Sequence, residues 1–61
     1  MYEIRLCFAK DDKGELFAIA EKDADAKLIA QAVSNIRPYG YYRVMVGAGT
    51  VYLYSNGRLV V

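Results

Sequence analysis

The sequence predicts an α+β domain, a five-stranded antiparallel sheet (ββαβββ along the chain) with one helix packed on one face. Three observations predict it. Residues 2–9 and 41–46 alternate side chains with a period of two, as half-buried strands do. Residues 23–36 carry apolar side chains at the offsets of one helical face. Two turn signals, Ala48-Gly49 and Asn56-Gly57, punctuate the C-terminal third.

The first strand points Tyr2, Ile4, Leu6 and Phe8 one way and Glu3, Arg5, Cys7 and Ala9 the other. Pairing Lys10 with Glu15 leaves Asp11-Asp12-Lys13-Gly14 as the hairpin loop, with glycine free to take a positive φ. In that register Phe8 faces Phe17 and Leu6 faces Ile19, and both pairs join the apolar side. The helix is capped by Asp23, with Asp25 adding favourable negative charge to its first turn. Leu28, Ile29, Ala32, Val33 and Ile36 form its expected packing face. Pro38 ends the helix, and Gly40 completes the turn into the third strand.

The remainder reads as a three-strand meander. A turn at Ala48-Gly49 pairs Val46 with Val51 and Val44 with Leu53; the type I′ signal Asn56-Gly57 then sets Val60 opposite Leu53. A right-handed crossover through the helix places the third strand beside the first, giving the sheet order 2-1-3-4-5. A partly closed barrel, with the last strand near the first, is the alternative.

These registers divide the side chains between two faces. The helix is expected over Tyr42, Val44, Val46, Val51, Leu53 and Val60. The opposite face then shows Tyr41, Arg43, Met45, Tyr52, Tyr54, Leu59 and Val61, flanked by Arg37 and Tyr39 from the preceding loop. Tyrosine, arginine and methionine are enriched at interface centres. Arg37, Tyr39, Tyr41, Arg43, Tyr52, Tyr54 and Arg58 are therefore the candidate partner-binding residues. Tyrosine is also a good strand former, and strand propensity by itself produces such a face.

Charge supports a contact surface. Residues 1–25 hold all seven acidic and four of the basic groups, net −3; residues 26–61 hold Lys27, Arg37, Arg43 and Arg58, net +4. Such a split marks an acidic partner or nucleic acid. Arginine among exposed tyrosines on a sheet is one way single-stranded RNA is bound, which makes a nucleic-acid-binding module the rival to a protein-binding one. A homo-dimer through the tyrosine face is a third reading. A hydrophobic content of 56% argues against disorder. No signal peptide or membrane span is expected, and a single cysteine suits a cytoplasmic protein.

The chemistry points away from an enzyme. There is no histidine to act as a base near neutral pH. Cys7, inside a strand, has no histidine to activate it, and one thiol does not make a zinc site. The acids lack the spacing of a calcium loop, so no metal or cofactor is expected. GAGT at 47–50 precedes a strand rather than a helix, so it reads as a turn and not a phosphate cradle.

The C-terminal part, a helix followed by strands and ending VYLYSNGRLVV, resembles the layout of very small phage-encoded anti-CRISPR proteins. Tyr52, Tyr54, Gly57, Arg58 and Val60 carry the resemblance, over residues 24–61. It implies a non-enzymatic inhibitor that binds a nucleic-acid-processing complex through basic and aromatic residues. FAKDDKGELFAIAE followed by a helix is similar, more loosely, to the antitoxin half of small toxin–antitoxin pairs.

Overall fold

The alternating strands and the single helical stretch fold in the expected order along the chain. The computed structural model describes residues 1–10 and 12–60. Strands β1 (Tyr2–Cys7), β2 (Glu15–Ala20), β3 (Tyr41–Val46), β4 (Gly49–Ser55) and β5 (Arg58–Leu59) form one antiparallel sheet in the order β2-β1-β3-β4-β5. Helix α1 (Asp23–Ile36) packs against it. The sheet is open, with β2 and β5 as its edges, rather than a closing barrel. Asp11, expected in the first loop, and Val61, expected beside Tyr52, lie outside the described residues.

The last hairpin follows the sequence directly. Asn56 and Gly57 take φ of 54° and 75°, the left-handed pair of a type I′ turn. Tyr54 pairs with Leu59, and the Val60 amide donates to the Leu53 carbonyl at 2.6 Å.

Two other registers differ from expectation, each through a different connection and a β-bulge that then exchanges the faces beyond it. The turn between β3 and β4 is Gly47-Ala48, so Val46 pairs with Gly49 and Met45 with Thr50. A bulge then resets the ladder, and Val44 pairs with Tyr52, Arg43 with Leu53 and Tyr42 with Tyr54. Relative to the expected pairing, β4 has slipped by one residue, which exchanges its two faces. In the first hairpin β1 ends at Cys7, and residues 8–14 form a longer connection. Ile4 pairs with Ala18 and Arg5 with Leu16, leaving Phe17 as the extra residue. Ala18 and Ala20, rather than Phe17 and Ile19, thus join the core face of β2, although the Phe17 ring still meets Tyr42 edge-on at 5.6 Å.

The helix also turns a different side to the sheet. Its buried residues are Ala26, Ala30 and Ser34, with Ile29 and Val33 partly covered, while Leu28 and Ile36 face solvent. Lys22 is the N-cap residue and makes no side-chain capping bond, so Asp23 does not cap the helix. The packing is large against small. The alanines bring the helix backbone close, and the rings of Tyr42 and Tyr54 fill the layer together with Ile4 and Val44. The Ser34 hydroxyl accepts from the Gly57 amide at 2.9 Å, and the Gln31 amide donates to the Gly57 carbonyl, docking the β4–β5 turn on the helix.

Candidate protein-binding site

Tyr52 and Tyr54 do not form an exposed face. The one-residue slip in β4 carries both rings beneath α1. Tyr54 is only 5% exposed. Tyr52 is half-buried at the helix N-terminus, where its hydroxyl donates to the Asp23 carboxylate at 2.9 Å and Lys27 Nζ sits 5.0 Å from its ring centroid. The phenol that donates to Asp23 is held above its ordinary pKa by that bond, with desolvation and the nearby negative charge adding to it.

The opposite side of the sheet is not bare either. Arg5 and Arg43 stand directly across from each other on β1 and β3. Arg43 Nη2 donates to the Lys10 carbonyl, and its Nη1 donates to Thr50 Oγ1 at 2.7 Å. Arg5 donates to the carbonyls of Lys13 and Gly14 and pairs with Glu3 at 2.8 Å. The two guanidiniums strap the 8–14 connection across the sheet. Cys7, Met45 and Leu53 are buried on this side. Asp12 ties the connection to itself, accepting from the amides of Phe8 and Gly14 at 3.2 and 3.1 Å. Those two bonds hold the Asp12 carboxyl below its ordinary pKa. Arg43 is therefore a clamp, and Tyr41, paired with Cys7, is half-buried beside it.

The far side also leaves Leu16 and Ile19 of β2 half exposed, and a separate opening lies at one end of the sheet. A cleft of about 270 Å³ lies there, lined by Leu6, Phe8, Arg37, Tyr39 and Tyr42. Its floor is core, and its rim is exposed: Phe8 at 72% and Tyr39 at 71%. Each rim residue has a local cause. Phe8 leaves the strand because Asp12 captures its amide. Arg37 follows the helix, its amide closing the last turn on the Val33 carbonyl at 2.8 Å. Tyr39 lies between Pro38, which cannot extend the helix, and Gly40, whose φ is 71°. A cavity of roughly 150 Å³ suffices to hold a benzene ring, so this cleft has room for an aromatic or large aliphatic side chain.

Of the seven candidate residues, only Arg37 and Tyr39 line this cleft. Arg58 is exposed on β5, in a separate cleft beside the helix. Alternation places Phe8 in the core, whereas the structure exposes it at the rim of the cleft. Asp12, four residues after it and two before a glycine, is the signal that the chain turns there. No helix among the described residues is long and apolar enough to cross a membrane. Comparison with protein-family models, curated proteins and solved structures found no match for this chain.

Proposed function

We propose that this is a small, non-enzymatic binding or inhibitory protein of the cytoplasm, which acts by covering part of a partner protein through the aromatic corner of Phe8, Arg37 and Tyr39. The observation that carries the reading is the pair of exposed rings around an apolar cleft with one guanidinium at its rim. Burying an aromatic side chain on binding is worth about 1.5–3 kcal/mol, and aromatic and arginine anchors dominate interface energetics. Arg37 favours a partner surface that carries carboxylates around its apolar anchor. The buried Cys7 thiol, shut beneath Gly14, is out of reach of a substrate. In its specific form, after the anti-CRISPR resemblance, the partner is a nucleic-acid-processing complex and the protein blocks it by occupancy.

Direct nucleic-acid binding is disfavoured by where the cations are. Single-strand binders track phosphates along a continuous basic groove. Here Arg43 is spent on the Lys10 carbonyl, Lys27 lies over Tyr52, and Arg58 sits in a different cleft from Arg37. The test is capture from a lysate of the organism that carries the gene. One protein complex is expected on the wild-type chain. It should be lost with Tyr39→Ala and with Arg37→Glu, kept with Arg58→Ala, and the three variants should melt like wild type. Capture that survives both corner substitutions sinks the reading, as does tight binding of an oligothymidylate that falls steeply with salt.

A further inference from the structure

Arg37 is the only charged residue lining the corner cleft, beside Leu6, Phe8, Tyr39 and Tyr42. Among the described residues the one ion pair joins Arg5 to Glu3, so the Arg37 guanidinium has no carboxylate partner there. Asp12, on the same connection as Phe8, gives its carboxylate to the amides of Phe8 and Gly14 and does not line the cleft. The two rims are also fixed against each other. A methyl group on Gly40 would overlap the Cys7 carbonyl oxygen and lie 3.2 Å from Phe8 Cα, so the backbone after Tyr39 packs directly on the backbone at Phe8. A cleft held open in this way is preorganised and needs little ordering on binding.

We propose that the corner binds the C-terminal residue of a partner chain, a terminal phenylalanine, tyrosine or leucine, with its side chain in the cleft and its α-carboxylate on Arg37. This rests on the reading of the corner as a protein-binding site and names what that site takes. The first reason is size. A volume of about 270 Å³ admits one aromatic or large aliphatic side chain and not a pair. The second is charge. A lone guanidinium at the rim, with no acid in the lining, calls for one carboxylate, which arginine can hold through two parallel hydrogen bonds. The third is how one ligand brings both groups to one small cleft. In an extended segment neighbouring side chains point to opposite sides, so an internal apolar–acidic pair sends one of its groups away. A C-terminal residue carries its side chain and its carboxylate on a single Cα and delivers both without bending the chain. Capture of a terminal carboxylate is a recurring mode of peptide recognition.

Titration of the full chain with N-acetyl-glycyl-phenylalanine, followed by two-dimensional NMR, tests the proposal. The amide signals of Phe8, Arg37, Tyr39 and Gly40 should move together, with a dissociation constant of about 1 mM, as suits a single anchoring residue. The same peptide with its C-terminus amidated should bind several-fold more weakly. N-acetyl-phenylalanyl-aspartyl-amide, an internal apolar–acidic pair, should bind no better than that amide. Arg37→Gln should bring the free acid down to the affinity of the amide, and Tyr39→Ala should weaken both alike. Both side chains are exposed, so the two variants should keep the wild-type spread of signals. Equal binding of acid and amide, or a preference for the acid that survives Arg37→Gln, overturns the carboxylate on Arg37. Equal affinity for the internal pair and the free acid overturns the chain terminus, and the absence of any shift at about 10 mM peptide overturns the site. Failure here is distinct from failure of the binding function. If corner substitutions abolish capture of a partner while the peptides do not discriminate, only the terminus falls; if the peptides bind as expected while capture survives both substitutions, only the covering function falls.

Discussion

On the helix side of the sheet, the rings of Tyr42, Tyr52 and Tyr54 fill the space left by the small side chains of α1. On the far side, Arg5 and Arg43 hold a loop down by its carbonyl groups. The first arrangement rests on apolar burial, which is non-directional and scales with area. The second rests on a few hydrogen bonds, each of modest net value where water competes. The two sides should therefore yield separately. The far side can open locally while the helix layer persists. Phe8 heads the strapped connection, so the shape of the aromatic corner depends on the weaker side.

The largest effect should come from breaking the helix side. Tyr54→Ala removes a buried ring and leaves a cavity beneath Ala26 and Ala30; comparable truncations cost about 3–5 kcal/mol. A core of this size supplies a net stability of about 3–5 kcal/mol. The variant should be largely unfolded at 25 °C, seen as loss of the urea transition. Had Tyr54 stood on an open face, the melting temperature would scarcely move, so this measurement also decides between the two registers of β4.

The register error shows which parts of the fold local signals specify. Asn56-Gly57 admits one tight turn, and β4–β5 was legible to the residue. GAGT admits two, at Gly47-Ala48 or Ala48-Gly49, and the alternation of apolar side chains fits either. Either turn alone keeps Val51 and Leu53 on the side of Val44; the bulge after Thr50 is what turns Tyr52 and Tyr54 to the helix instead, and its cause is tertiary. Ala26, Ala30 and Ser34, four residues apart, form a shallow helix face that accepts large rings better than valines. That stripe was present in the sequence, but the bulkier row Leu28, Ala32, Ile36 is a louder periodic signal. A bulge in each of two hairpins then moved every side chain beyond it to the other face. Element order, helix ends and sheet order survive such slips because they depend on turn positions and connection lengths. Site residues do not, because they depend on which face each side chain takes. Arg37 and Tyr39 kept their exposure because they lie in a connection with no partner strand.

An intermediate effect should come from the strap. Gly14 has φ 77°, and a methyl group there would overlap the Leu6 carbonyl oxygen and the Cys7 Sγ. Gly14→Ala should cost about 1–3 kcal/mol, the usual range for a non-glycine residue forced into that region. The damage should stay local. Amide exchange should quicken at residues 8–14 and at the end of β1, with α1 still protected. Equal acceleration in α1 would show that the two sides of the sheet unfold as one unit.

The smallest effect should be at the rim of the helix side, and its pH dependence sharpens the comparison. The Tyr52 hydroxyl donates to Asp23, which raises the phenol above its usual value near 10. A group whose pKa is raised by folding contributes stability in its protonated form. That contribution is complete below pH of about 10, and it fades as the pH climbs through the higher folded value. Tyr52→Phe keeps the ring beneath the helix and removes only the hydroxyl. It should lower the melting temperature slightly at pH 7, with the gap to wild type constant until the phenol titrates and closing above it. Asp23→Asn leaves an acceptor without the charge, so the phenol of that variant should titrate closer to its usual value, as ultraviolet absorbance of tyrosinate would show. If the gap between wild type and Tyr52→Phe instead stays constant through the tyrosine titration, the bond to Asp23 contributes nothing, and ring packing alone holds that end of the helix to the sheet.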